Sequence, residues 1–203
     1  MSETGETIKL KLQQIHRALG DFSNSSLHKV KHEIKHGPDS HAITVDFDTI
    51  RVPAEKANNV SLLLAAIGSL KDNMKVWCEE NRVPFMGEKI LNKHKNAAVI
   101  HDLWNIDKHG KLNKKPRSGS IPRIEKPSTV LSITGGTEAN SAAVFSMSLT
   151  TGEITTSSSG SGKLSIELSA KVFTGTRLLG ELKDIAVSAT DAWEKECLRL
   201  GIL

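Results

Sequence analysis

A long apolar repeat in the segment after Pro53 constrains the fold more than any other feature of the sequence. Five large apolar residues recur there at steps of four, three, four and three, namely Leu63, Ile67, Leu70, Met74 and Trp77. This is the spacing of one buried face on an amphipathic α-helix. The repeat predicts a central helix over residues 54 to 80.

Three further segments show helical spacing. Residues 6 to 19 and 177 to 199 repeat apolar side chains at steps of three and four, which predicts an N-terminal and a C-terminal helix. Residues 88 to 109 predict a second long helix that stops at Gly110, because glycine commonly ends helices. The linker of residues 81 to 87 is short and contains proline and glycine. We therefore expect the two long helices to run antiparallel.

Alternating apolar residues predict strands in two regions. Residues 27 to 47 end in strict alternation, and the turn-forming cluster at residues 36 to 40 favours a hairpin. Residues 27 to 36 taken alone fit a helix as well as a strand. Residues 129 to 173 predict β structure, with a flexible Ser/Gly tip at residues 157 to 162.

Together these elements predict an α+β protein. The helices form a bundle, and the early hairpin and the strands in residues 129 to 173 form an antiparallel β-sheet. A length of 203 residues fits a single domain over residues 1 to 203. Residues 111 to 176, which begin with a proline-rich stretch that lacks periodicity, are expected to form a loop and β insert between the third and last helices.

Composition argues against several classes of protein. No segment approaches the ~20 apolar residues of a membrane span, and the charged residues among the first 14 positions do not fit a signal peptide. Cys78 and Cys197 lie far apart without a Cys-x-x-Cys pair, which is typical of reduced thiols in a cytoplasmic protein. The common nucleotide-binding, hydrolase and metalloprotease motifs are absent, so no cofactor is expected.

The positive charge is concentrated in one segment. The chain has a net charge of +4, whereas residues 89 to 126 alone carry ten lysines and arginines against three acids. That window is therefore +7 and the remainder is −3. The window can be a solvated basic surface or a site for a nucleic acid or another polyanion, which would bind through its phosphates. Trp104 is its only aromatic residue, so base stacking is not favoured.

Histidines occur in two groups. His94 and His101 share one face of the 88 to 109 helix with Asn105, and this face is either a half-exposed boundary or part of a functional groove. The two imidazoles lie about 10.5 Å apart along the helix axis, too far to chelate one metal ion alone. The second group comprises His28, His32, His36 and His41. On a strand these residues are too far apart to share a metal ion, so no metal site is predicted.

Polar residues also collect in the last turns of the 88 to 109 helix. Asp102, Asp107 and His109 could support proton transfer, although no nucleophile is visible beside them. A structural explanation is available as well. Lys108 and His109 stabilise the negative end of a helix dipole, and Asp107 can pair with Lys111 one turn later.

This segment resembles a sequence signature of bacterial helical proteins related to the HEPN superfamily. Residues 103 to 109 read Leu-Trp-Asn-Ile-Asp-Lys-His, similar to the Leu-x-Asn-Ile-Asp-Lys-His of that group. The order of elements is similar too. A second signature, Leu-Arg-x4-His, is altered, because Lys71 stands at the arginine position and Val76 at the histidine position.

The resemblance implies a HEPN-like bundle that forms a homodimer. In HEPN ribonucleases the arginine and histidine act at the dimer interface, where they stabilise phosphate charge and transfer protons in metal-free RNA cleavage. Lys71 could still meet a phosphate as a point charge, but Val76 cannot transfer a proton. Catalysis by this route would require His101 or His109 as a substitute.

The leading hypothesis is a non-catalytic cytoplasmic binding module for protein or nucleic acid. The residues expected to bind are Asn105, Asp107, Lys108, Lys111, Lys114, Lys115 and Arg117. One alternative is a metal-independent ribonuclease that uses Lys71, His101 and His109 as catalytic residues. Another is a prophage or host-defence interaction protein whose ligand is a protein partner.

Overall fold

A computed structural model describes residues 3–21, 31–36, 41–47, 51–134, 140–148 and 154–203. The first six elements are α1 (Glu3–Asp21), β1 (Lys31–His36), β2 (His41–Asp46), α2 (Pro53–Glu80), α3 (Gly87–Lys93) and α4 (Lys95–His109). The next four are β3 (Pro122–Ile124), β4 (Ser128–Thr134), β5 (Ala142–Met147) and β6 (Ile154–Ser159). The last four are β7 (Lys163–Ser169), β8 (Lys171–Thr174), β9 (Arg177–Glu181) and α5 (Leu182–Leu200). The protein is thus a mixed α+β protein, as predicted.

The central helix is confirmed. In α2, Leu63, Ile67, Leu70 and Met74 are almost completely buried, while Trp77 is half-buried. The N-terminal helix is confirmed as α1, which buries Ile8, Leu12 and Ile15. Periodicity located these helices correctly because each has one continuous apolar face.

The prediction of one helix over residues 88 to 109 is wrong. His94 adopts an extended conformation, with φ −108° and ψ 99°, and separates α3 from α4. Its N–H donates to the carbonyl of Ile90, and its own carbonyl accepts the N–H of Ala98. This single extended residue changes the helical phase, so His94 and His101 do not belong to one continuous helix face.

The start of the last helix also differs from the prediction. Residues 177–181 form β9, and α5 begins at Leu182. Leu178, an apolar residue within the predicted helix, is 52% exposed on this strand. Its partner is Phe173 in the antiparallel pair of β8 and β9, so sheet pairing determines the conformation here.

The strands do not form one sheet. Those in the described residues pair into four small antiparallel sheets, ordered β1-β2, β3-β8-β9, β4-β7 and β5-β6. The early hairpin is confirmed as the pair of β1 and β2, with its connection at residues 37–40 outside the described residues. Part of the expected Ser/Gly tip is strand β6, which pairs along its length with β5. Likewise, the proline-rich loop contains the short strand β3.

Contacts within the chain group its elements into two compact units. One contains α1, most of α2, α3, α4, β3, β8, β9 and α5. The other contains β1, β2 and the strands from β4 to β7. The single-domain assignment of residues 1 to 203 and the insert boundaries at 111 and 176 stay predictions.

The first of these units, which contains the helices, is called the helical unit. Its core is formed by its four longest helices. From α4 it takes the buried run Ala97–Ile100, and from α5 it takes Trp193 and Cys197. The thiol of Cys197 lies 3.9 Å from the sulfur of Met74 on α2. Hydrogen bonds at the edge of this core join α1 to α2 and α1 to α5.

A glycine allows α2 and α4 to approach closely. The indole of Trp104 on α4 lies directly against Gly68 on α2, where an added Cβ would stand 2.3 Å from the indole Cδ2 atom. No other residue type leaves this space free. Gly68 therefore fixes the separation of the two helices beside the end of α4.

We expect Gly68→Ala to destabilise the protein by about 1–3 kcal/mol, because the new methyl group overpacks the contact with Trp104. Gly20→Ala is the matched control, since a Cβ on that α1 glycine meets nothing within 4 Å. Chemical denaturation measures both free energies of unfolding. An unchanged or increased stability of Gly68→Ala would contradict the close contact.

Candidate functional site

The candidate site begins where α4 ends. Gly110 takes a left-handed conformation with φ 71°, and its N–H donates to the carbonyl of Ile106. The predicted end of the helix at Gly110 is confirmed. Glycine adopts this conformation without steric cost, so the chain can leave the helix sharply and return along it.

The chain after Gly110 forms the basic loop, and a turn brings this loop back against α3 and α4. The N–H of Gly119 donates to the carbonyl of Pro116, which places Arg117 and Ser118 at the tip of the turn. Ser118 is fixed to the buried carboxylate of Asp102 by its backbone N–H at 2.8 Å and its hydroxyl at 2.7 Å. These two donors hydrogen-bond a carboxylate that would otherwise lose its hydration.

Arg117 fixes the other side of the turn through an ion-pair network. The Lys71 amine donates to one oxygen of Glu88 at 2.6 Å, and the Arg117 guanidinium donates to the other. The hydrogen bond from Lys71 is the main reason that the pKa of Glu88 is lowered from 4.5 to about 2. The ion pairs therefore stabilise the folded state above pH 4.5, and this contribution is lost as the pH falls towards 2. Glu88 thus joins α2, α3 and the loop.

The turn and α4 enclose a basic cleft of about 280 Å³. Its walls are His101, Asp102, Asn105, His109, Lys111, Leu112, Asn113, Lys114, Lys115 and Arg117. Four of these side chains carry a permanent positive charge, and Asp102 is the only carboxylate. Lys111, Lys114 and Lys115 form no ion pair within the described part of the chain. The cleft is therefore strongly electropositive.

His101 is the most perturbed base in the cleft. Its pKa is lowered from 6.5, first by burial and then by the positive charges of Lys71 and Arg117. Its imidazole Nε2 lies 3.3 Å from the amide nitrogen of Asn105, which also donates to the His101 carbonyl. At neutral pH the imidazole is uncharged and presents one ring nitrogen as an acceptor.

The structure brings most of the predicted site residues together. Those that line the basic cleft are His101, Asn105, His109, Lys111, Lys114, Lys115 and Arg117. Lys71 lies outside the lining and is connected to it through Glu88. His94 is half-buried and also lies outside.

Two predicted binding residues have other contacts. Asp107 accepts a hydrogen bond from the hydroxyl of Ser61 at 2.9 Å, and the expected pair with Lys111 is not formed. The amine of Lys108 lies 5.2 Å from the centre of the Trp104 ring, a cation–π contact on the outside of α4. Neither side chain lines the cleft.

Sequence reasoning missed Glu88 and Ser118. Glu88 precedes the basic window, and its role depends on contacts with residues 17 and 29 positions away. The sequence Pro116–Ser120 is turn chemistry and could have indicated that Ser118 makes a backbone-directed hydrogen bond. Its partner Asp102 could not be deduced from spacing.

Comparison with known proteins adds no assignment. The chain matches no protein family, and searches of curated proteins and of solved structures find no similar protein. The likeness of residues 103 to 109 to a HEPN-related signature stays a prediction. None of the described helices is both long enough and apolar enough to span a bilayer. No group of three or more metal-ligating side chains occurs in the described ranges.

The electrostatic coupling of the network to His101 can be measured. We expect Lys71→Met to raise the pKa of His101 towards 6.5, because one of the two cations that lower it is removed. Glu88→Gln should lower it further, because the Glu88 carboxylate favours the protonated imidazole. Histidine side-chain NMR titration gives both values. Shifts in the same direction for the two variants would contradict this coupling.

Proposed function

We propose that the protein is a non-catalytic binding module that holds the phosphate backbone of a nucleic acid in the basic cleft. The observation that carries the proposal is the convergence of Lys111, Lys114 and Lys115 on one cleft whose only carboxylate, Asp102, is hydrogen-bonded to Ser118. Lysines of this kind bind phosphates as point charges and release the counterions of the polyanion.

The chemistry of the walls favours phosphate over base recognition. The cleft contains no Phe, Tyr or Trp side chain on which a base could stack. Its volume of about 280 Å³ lies just below the range of ordinary small-ligand pockets, about 300–1,000 Å³. It fits one anionic segment of a longer chain. Binding is therefore expected to depend little on sequence.

Three features support a binding role over catalysis. Lys71 is engaged by Glu88, and Asp102 and Asp107 each accept hydrogen bonds from a serine. His101 and His109 are attached eight residues apart on α4, about 12 Å along its axis. An acid and a base that act on one phosphodiester both need hydrogen-bond reach of the reacting atoms.

A cytoplasmic location agrees with this role. Cys78 and Cys197 are both free and buried within the helical unit. Burial raises the pKa of Cys78, and it raises that of Cys197 to about 12, so neither thiol is reactive at neutral pH. Such thiols are typical of a reducing compartment.

Binding of a fluorescein-labelled 20-nucleotide RNA, followed by anisotropy, tests the proposal. The variant Lys114→Ala/Lys115→Ala should weaken binding at least about tenfold at 0.1 M salt and reduce the salt slope by about two. The matched control is Lys93→Ala/Lys95→Ala, which removes the same charge from exposed positions outside the cleft. Equal losses in both variants, or binding that does not depend on salt, would place the function elsewhere.

Incubation of the protein with mixed RNAs in EDTA tests the absence of catalysis. We expect no cleavage above the level of a Lys71→Ala/His109→Ala variant, because no acid–base pair is assembled at the cleft. Metal-free cleavage that is lost in this variant would contradict a purely binding role and favour the ribonuclease alternative.

A further inference from the structure

The helical unit has a second surface depression, which is mainly apolar, in contrast to the charged basic cleft. A groove of about 670 Å³ runs between the helices α2 and α4 on one side and residues 121–127 on the other. Its helical wall is formed by Ala57, Val60, Ser61, Leu64, Leu103, Ile106 and Asp107. The opposite side ends in Ile121, which is 64% exposed. Lys111 and Leu112 line both the groove and the cleft, so the two surfaces are continuous.

The groove follows the edge of a strand. All residues from 121 to 127 line it without a gap. A groove along one face of a strand would be lined by alternate residues, because side chains alternate between the two faces. A groove along the hydrogen-bonding edge of a strand, in contrast, is lined by every residue of that strand. β3 is the edge strand of the sheet β3-β8-β9, so its outer side is the one that faces the groove.

The outer edge of β3 can pair with another strand. Glu125 donates its N–H to Lys171 of β8, and Arg123 pairs with Phe173 in the same register. Backbone groups alternate in an antiparallel pair, so the N–H group of Ile124 points away from β8. Pro122, which has no N–H to donate, occupies the other outward position.

We propose that this groove binds an extended acidic peptide of a partner protein, which adds a strand to the outer edge of β3. Strand addition of this kind uses backbone hydrogen bonds for affinity and alternate side chains for selectivity. Apolar side chains at every second peptide position would lie against the α2–α4 wall. The site adjoins the proposed phosphate-binding cleft and shares Lys111 and Leu112 with it.

The charged residues along the groove favour an acidic peptide. Lys111, Arg123 and Lys126 stand along the groove against Asp107 and Glu125, which leaves an excess of one positive charge. Beyond Lys111 the groove opens into the basic cleft. A second copy of this chain would bring the same positive rim and a strand edge interrupted by proline. An acidic peptide complements the positive charge of the groove, which continues into the basic cleft.

The probe is the peptide Glu-Glu-Val-Thr-Ile-Thr-Val-Glu-Glu, fluorescein-labelled and titrated with the full chain. We expect saturable binding that is lost when its four glutamates are replaced by lysine. Ile121→Asn should weaken binding about tenfold, because an apolar contact is removed. Leu198→Asn is the matched control, since Leu198 is 61% exposed on α5 and lies outside the groove.

Backbone pairing is tested by two N-methylated peptides. One peptide carries N-methyl groups at positions 3, 5 and 7, which are Val, Ile and Val. The other carries them at positions 2, 4, 6 and 8, which are Glu, Thr, Thr and Glu. Only the set whose N–H groups face β3 should abolish binding. Peptide binding should also slow hydrogen exchange at Ile124 but not at Arg123 or Glu125.

Several results would overturn the proposal. They are the absence of peptide binding at ~1 mM, equal binding of both N-methylated peptides, and equal behaviour of the Ile121→Asn and Leu198→Asn variants. Dimerisation of the free chain that Ile121→Asn abolishes would identify a second copy as the occupant. An RNA affinity that falls in Ile121→Asn as much as peptide affinity would assign the groove to nucleic acid. If the Lys114→Ala/Lys115→Ala variant loses RNA binding but keeps peptide binding, the result concerns only the proposed function of the cleft.

Discussion

The contact between Trp104 and Gly68 is the constraint on which both surfaces depend. It sets the separation of α2 and α4, because the indole occupies the space that any Cβ at position 68 would fill. Around this contact α4 presents two different faces. His101, Asn105 and His109 line the basic cleft, whereas Leu103 and Ile106 line the apolar groove. A change in helix separation would therefore alter both surfaces together.

The basic loop folds back against the helices although its positive charges repel one another. Two carboxylates stabilise this arrangement. Lys111, Lys114, Lys115 and Arg117 repel one another, and a loop with this charge has little reason to fold back on itself. Asp102 holds the backbone and hydroxyl of Ser118, and Glu88 holds Arg117. The buried carboxylate of Asp102 also gains hydrogen bonds in place of the hydration that it loses. The three lysines form no ion pair in the described part of the chain, because these two acids bind other groups.

The sequence predicted those elements whose signal is local. α1 and α2 each show one uninterrupted apolar face, and Gly110 marks the end of α4. The break at His94 has no proline or glycine to indicate it. Leu178 fits the helical spacing of α5 but is held in β9 by pairing with Phe173. Strand β6 has few apolar residues and depends on cross-strand pairs such as the 2.6 Å hydrogen bond between Ser146 and Thr155.

The same distinction applies to the two surfaces. Charge counting identified the basic segment, and its cations between residues 111 and 117 line one cleft because they are close neighbours in one loop. The network through Glu88 and the strand edge beside Ile121 are non-local and could not be read from spacing. These non-local features also carry the chemical selectivity. In the two proposed sites, the lysines would attract any polyanion, whereas the outward backbone groups of β3 at Ile124 would favour a peptide, because an extended polypeptide offers hydrogen-bonding partners at strand spacing. Under these proposals, discrimination between anionic partners depends on the groove rather than on the cleft.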